Sequence, residues 1–501
     1  MTAAFANAAL RIELDGAALE AGLARAATGV VVRQRLSAPT LAEISFAEPP
    51  GDAIAAFRFG AALRLSLAAG EIFSGEITAV EYFRDGAQGH IVRVRAFDRL
   101  HRLRKKQRAR TAANVSVGQF VADTVREIGL GCEAASNGPT RRFVVQSDES
   151  DFNLLVGLAA DAGLYLYLAG DTVRLVSLAG EGDPVELKVG RELAAARATA
   201  NAESMRVRTE TRAWDVSRTQ LVAGSATLAR QDANDMHALD LTAFSGLGAR
   251  TLFNRIAGAA DEAEALAQAD LDRSAGREVV IETTADGNPD LRPGRLVTIV
   301  GLGAAADGIF TVTEAVHSFS EASGYLTEFT TAPPQVSPGR SRAPVFSFGT
   351  VSDLGDPDRL SRVKARLNLC GDLETDWMPV VIPGAGAGKG LAVIPEVGDE
   401  VLILFPQGDL AVGIVVGGLY GERQSPGLVE AGIRPFAFRT GNGQAITLDA
   451  EGGLARIETS GGDVFEMGPK GARMHAVQDL VIEAPGRTLT IRAKAVEFEQ
   501  G

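Results

Sequence analysis

From about Phe436 to its last residues the chain is written as very short alternating strands, QAITLDA, LARIETS, DVFEMG, ARMHAV, DLVIEA, RTLTIRA and AVEFEQ, separated by Gly or Pro-Gly turns and covered by no helix. Successive side chains on a strand point to opposite faces, so each segment carries an apolar edge that has to be buried somewhere. One chain cannot bury it with strands this short. Two solutions remain: a solenoid that stacks its own turns, or an intertwined prism made with sister chains. The alternating apolar positions Ile446, Leu448, Ile457, Leu480, Ile482, Leu489, Ile491, Val496 and Phe498 are the expected inner face of that structure.

Upstream, the periods divide a 501-residue chain, too long for one core, into several units. Residues 1–98 read as a first β-barrel of short strands such as GVVVRQRL and HIVRVRAFD. Residues 99–189 form a small α/β insert. In it VSVGQFVADTVREIGL sets Val117, Phe120, Val121, Val125 and Ile128 on one helical stripe, with Ser116 as N-cap and Gly129 as stop. A second helix starts at Ser147 or Ser150, with Phe152, Leu155, Leu158 and Ala159 on one face, and a hairpin follows about Gly170 and Asp171. Residues 190–340 read as a second β-barrel interrupted by one helix, AADEAEALAQADLDRSAG, with Gly276 as its C-cap. The Pro-, Ser- and Arg-rich PPQVSPGRSRAP reads as a linker, and residues 345–428 hold five strands at the spacing of an OB-like barrel.

Bulk chemistry removes several function classes. A formal charge of -13 argues against a general nucleic-acid binder, which needs a cationic face to displace counterions. Cys132 and Cys370 are the only cysteines, so no disulfide framework or multi-cysteine zinc site can form within one chain. The opening MTAAFANAALRIELDG lacks the pattern of a signal peptide, and no apolar run reaches membrane-spanning length, which implies assembly in the cytoplasm.

Four features invite a chemical reading. The run Arg99, Arg102, Arg104, Lys105, Lys106, Arg108 and Arg110 could hold nucleic acid, but it lacks interleaved aromatics and reads better as a solvated strand and loop. GAGAGKG at 384–390 misses the hydroxyl residue and helix of a phosphate loop. Asp353, Asp356 and Asp358 lack the spacing of a calcium loop and read as an Asp-Pro turn. His475 could meet its copies around an ion only in a trimer, against the simpler reading of a surface histidine. No nucleophile arrangement or cofactor motif stands out, so neither catalytic, metal nor cofactor residues are expected.

The order of these modules resembles the VgrG family of contractile-injection spike proteins, relatives of phage tail hubs. The words that carry the resemblance are FDRLHRLRKKQRARTAANVSV, FVVQSDESDFNLLVGLAADAGLYLYL, GNPDLRPGRLVTIVGLG, GTVSDLGDPDRLSRVKARL and PEVGDEVLILFPQGDL, closed by GGLYGERQSP. The family implies a mainly β fold: two hub β-barrels with a small α/β insert, an OB-fold barrel, and a trimeric β-helix needle over 436–501. It implies a homotrimer that docks on an Hcp-like hexameric tube and on baseplate proteins, seats a PAAR-type tip protein at Val496, Glu497, Phe498, Glu499 and Gln500, and travels with cargo effectors in a phage-tail-like particle. No extension beyond the needle and no inserted lysozyme-like domain are seen, which favours a structural, non-enzymatic part. The other class in view is a cell-wall hydrolase or ligand-binding β-barrel protein.

Overall fold

The computed structural model describes residues 10–499, apart from 52, 69, 87–88, 231–247, 304–305, 336–342 and 422–435. The chain is mainly β and divides into two compact units, Met1–Gly418 and Leu419–Gly501.

The frame of the first unit is an eleven-stranded sheet. Its strands alternate in burial, as in Leu41–Ala47 and Glu314–Ser320, because one face of each packs on a core while the other meets solvent. Strands of the first ninety-odd residues do not close on themselves. Ala27–Arg35 pairs antiparallel with the late strand Glu314–Ser320, placing Val30 opposite Phe319 and Val32 opposite His317. One continuous sheet therefore serves both expected barrels, each over its own core. Val30, Val32, Ile44, Phe46, Val92 and Val94 gather with Phe319 in the first core, and Leu187, Ile281, Val297, Ile299, Phe310 and Phe329 in the second. The strand Glu181–Lys188, assigned by sequence to the insert, instead runs parallel to Arg295–Val300 and contributes Leu187 to the second core.

The insert follows its local signals. The helix Val117–Arg126 is capped by Ser116, whose hydroxyl accepts from Gln119 N at 3.2 Å, and Gly129 takes the positive φ of +76° at its end. Ser150, rather than Ser147, caps Asp151–Asp161 through Asn153 N at 3.2 Å. The strands Tyr165–Ala169 and Thr172–Val176 make the hairpin about Gly170 and Asp171. The later helix runs Ala260–Glu278, straight through Gly276, because the residue chosen as its stop is buried against the body of the unit. Beneath it the sheet Arg208–Asp215, Gln220–Ala226 and Ala249–Arg255 comes so close that a Cβ on Gly224 would meet Glu264 N at 2.2 Å.

Residues 345–418 form a five-stranded antiparallel sheet around Val351, Val363, Ala365, Met378, Val401, Ile403, Phe405 and Val415. The segment WMPVVIPG is not a full strand. Two single bridges, Val363 with Met378 and Val380 with Val415, let it seam the edges of the sheet into an OB barrel. LAVIPEV is likewise irregular, with pairing beginning at Glu400.

The second unit is an antiparallel meander of five strands, Phe436–Arg439, Ala445–Asp449, Leu454–Glu458, Val464–Gly468 and Gly471–His475. After His475 no strand is formed among the described residues, so DLVIEA, RTLTIRA and the described part of AVEFEQ, expected as strands, pair with no other described strand. A period of two predicts that a segment wants an edge to pair with; it does not supply the edge.

Candidate functional site

The charged features of the sequence resolve into internal pairs. Arg99 reaches Asp171, and Arg102 reaches Glu76, which also contacts His101 Nε2 at 3.0 Å. Arg104 lies over the rings of Phe97 and Phe152. Arg108 Nη2 binds the buried Asp151 Oδ2 at 2.7 Å and its Nη1 binds Glu127 at 2.6 Å, while Lys106 stands 3.7 Å from Glu127. Arg110 bonds Gln146 at 2.7 Å and stacks on Phe120. Lys105 stays exposed. Most of the basic run is thus engaged in holding the insert to the first barrel and to itself, which leaves little of it for phosphates.

The aspartate trio does not converge on a cation site either. Asp356 is 3% and Arg362 2% exposed at the side chain, and the guanidinium reaches both Asp356 oxygens, at 3.0 and 2.5 Å, and Asp358 at 2.7 Å. Leu360 N donates to Asp356 at 2.8 Å. The arginine, with these backbone donors, holds the Asp356 carboxyl far below the usual carboxylate range. Asp353 closes its own turn by accepting from Gly355 N at 2.8 Å. In GAGAGKG, Gly386 and Lys389 exchange backbone bonds of 3.1 Å in a tight loop with no helix behind it. Among the described residues no group of three or more His, Cys, Asp or Glu could hold a metal ion. His475 is exposed on the last strand of the meander.

What remains is surface, and it is concentrated in the second unit. Its register stacks apolar residues across the strands in two rows. One runs Phe438, Ile446, Ile457, Phe465 and Met474; the other runs Phe436, Leu448, Ala455, Met467 and Ala472. Directly opposed side chains on one face of an antiparallel sheet touch, so each row is a continuous apolar ladder. It is open to solvent: Ile446 is 47%, Leu448 52%, Ile457 49% and Met474 58% exposed. The opposite face carries Thr447, Arg456, Glu466 and Arg473, with Arg456 Nη1 3.2 Å from Glu466 Oε2. Of the predicted inner residues, Ile446, Leu448 and Ile457 lie together on this ladder. Leu480, Ile482, Leu489, Ile491, Val496 and Phe498 lie exposed on the unpaired segment beyond it. Glu497 and Glu499 are exposed beside Val496 and Phe498, whereas Gln500 falls outside the described residues. Sequence reasoning left out Phe436, Phe438, Phe465, Met467 and Met474. Phe465, Met467 and Met474 carry the same alternation in DVFEMG and ARMHAV, segments read as strands without their apolar residues being added to the face, whereas Phe436 and Phe438 lie in FAFR, which is not among the segments read as strands.

Comparisons place this architecture among known proteins. Residues 33–323 match the model of the phage tail baseplate hub family, and residues 347–420 match that of the injector OB domain of type VI secretion systems and phage baseplates. No curated protein sequence matches. Among solved structures, a type VI secretion component of Escherichia coli, described as similar to T4 tail proteins gp27 and gp5, shares 16% identity at TM-score 0.51, covering 82% of this chain and 99% of its own. A chain of the Francisella PdpA–VgrG complex gives 10% and 0.55, covering 93% and 87%. The 43 kDa tail protein of prophage MuSo2 from Shewanella oneidensis gives 14% and 0.51, covering 65% and 98%. At these identities the likeness speaks for the fold.

Proposed function

Because the chain belongs to the phage tail baseplate hub family and carries an injector OB domain, we propose that its structural role is that of a trimeric hub and spike, driven through a target envelope when a sheath contracts. The observation that carries the trimer is the apolar ladder from Phe436 to Met474, backed by a charged face. Burying side chains of this size gains about 1.5–3 kcal/mol each. Three copies that turn their ladders toward a common axis cover all of them at once and leave Arg456 and Glu466 outward. Residues 476–499 then continue the structure differently. With alternating apolar positions and no strand partner of their own, they pair between copies, which removes open strand edges and makes unravelling a loss of the whole ladder. The result is a stiff needle in two stages, self-paired first and intertwined after.

In this reading the hub sheet meets an Hcp-like hexameric tube and other baseplate proteins, and Val496 to Gln500 seat a PAAR-type tip protein. The role needs geometry and no turnover, in keeping with internally paired charges in the first unit. The test is solution mass by light scattering for the full-length chain and for a truncation ending at Pro435. A full-length trimer that becomes monomeric or exchanging on truncation is expected. A full-length monomer at micromolar concentration overturns the spike reading.

A further inference from the structure

The strand Glu314–Ser320 is where the two cores of the first unit meet. It pairs with Ala27–Arg35 on one edge and with Gly324–Thr330 on the other. Side chains two apart on a strand share a face, so Ala315, His317 and Phe319 point the same way. Ala315 belongs to the second core and Phe319 to the first. The residue between them is a fully buried histidine. Its Nδ1 lies 3.1 Å from Tyr325 Oη and 3.2 Å from Thr327 Oγ1, while its Nε2 is buried without a hydrogen-bond partner among the described residues.

A loop is fixed to the same two partners. Gly287 N donates to Tyr325 O at 3.0 Å, and Asn288 N donates to Thr327 Oγ1 at 3.0 Å. The loop comes so close that the Tyr325 ring leaves no room for a Cβ on Gly287. Leu291 at its end is fully buried. Tyr325 in turn stacks on Phe319, ring centroids 4.2 Å apart. The histidine, the loop and the edge of the first core thus share one set of contacts.

Facing the imidazole are Val32 from one neighbouring strand, Tyr325 and Thr327 from the other, and the loop, whose one charged residue, Asp290, is exposed. The charged residues of these strands, Arg33, Arg35, Glu314 and Glu328, fall on the opposite face, where both arginines pair with Glu314. Tyr325 is pushed up to about 12 by burial and stays neutral. Among the described residues no carboxylate is placed to pair with an imidazolium. Burial, offset in part by the Leu291 backbone, pushes the His317 imidazole down to about 4.

We propose that His317 is an acid-sensitive latch: uncharged, it holds the Gly287–Leu291 loop and the seam between the two barrels closed, and on taking up a proton it releases both. A proton on the closed ring would create a buried, unpaired charge, so opening is coupled to proton uptake. The closed seam is favoured in full above the ordinary histidine value of 6.5 and weakens as pH falls from there toward about 4. The latch lies within one chain and uses neither the ladder nor the three-fold arrangement.

Amide hydrogen exchange of the full-length protein, corrected for the intrinsic effect of pH, reads the seam. Linkage to one proton between 6.5 and about 4 makes opening of Ala27–Arg35 and Glu314–Ser320 about twentyfold more frequent at pH 5 than at pH 7. In His317→Gln, which keeps a neutral polar side chain, the ratio should stay below about twofold, with circular dichroism checking that the variant is folded. Exchange of the imidazole Cε1 hydrogen, followed by mass spectrometry in the unaltered protein, gives the titration of His317 itself and needs no variant; it should fall well below the ordinary value. Equal acceleration in parent and variant overturns the proposal. So does a parent seam that is no more open at pH 5, or a His317 that titrates at its ordinary value in the folded protein. None of these outcomes alters the oligomeric mass on which the spike reading stands.

Discussion

The OB barrel and the C-terminal meander are both five-stranded antiparallel sheets of short strands, yet one hides its apolar residues and the other displays them. In the barrel, Val401, Ile403, Phe405 and Val415 are fully buried, because single bridges at Met378 and Val380 seam the sheet's edges and let the strands share one interior. In the meander the turns are tight, the strands are four or five residues long, and nothing among the described residues closes the sheet. Its ladder is left for other copies. Closure decides whether the same alternation makes a domain or an interface.

The comparison breaks first by truncation. Ending the chain at Pro435 should abolish stable trimers while the barrel units keep their melting transition; scattering and calorimetry on the same sample read both. Next, Ile457→Asp sets a charge at the centre of the ladder, between Ile446 and Phe465. Each buried copy should cost about 3 kcal/mol or more, so sedimentation should show dissociation at concentrations where the parent is trimeric, with the first unit's melting unchanged.

Within the barrel, Arg362→Ala strands the buried Asp356 and should destabilise that domain by about 3 kcal/mol, measured by denaturant unfolding. Acid should expose the same pair. The Asp356 carboxyl is depressed in the folded state, so its contribution is present above the unfolded value of 3.8 and is lost as pH falls through the lower folded value. Barrel stability should therefore drop below about pH 4 in the parent and drop less in the Arg362→Ala variant. The smallest effect belongs to Arg456→Ala on the meander's charged face, whose partners are exposed. It should change stability by less than about 0.5 kcal/mol and leave association intact, in contrast to Ile457→Asp one residue away on the opposite face.

The helical insert was legible down to single residues because its signals are local: Ser116 and Ser150 cap within three residues, and the Gly170–Asp171 turn joins adjacent strands. Gly276 misled because a cap signal competes with packing, and burial of the helix carried it onward to Glu278. The candidate surface was legible in part. Ile446, Leu448 and Ile457 fall on the ladder, and alternation also marks Phe465, Met467 and Met474 as apolar positions, but which of them stand opposite one another is cross-strand register, which alternation alone leaves open.

By itself, the sequence determined a mainly β chain, its three longer helices but not the short ones at Ala21–Ala26 and His101–Arg104, the OB module and an alternating C-terminal segment with apolar residues still to be covered. Each of these rests on period, turn chemistry or caps within a few residues. Only the tertiary structure decided that Ala27–Arg35 pairs with Glu314–Ser320, that Met378 and Val380 seam the barrel, and that carboxylates engage most of the basic run. Those choices join residues far apart in the chain, and a period of two fits many possible partners equally well until cores and ion pairs select one.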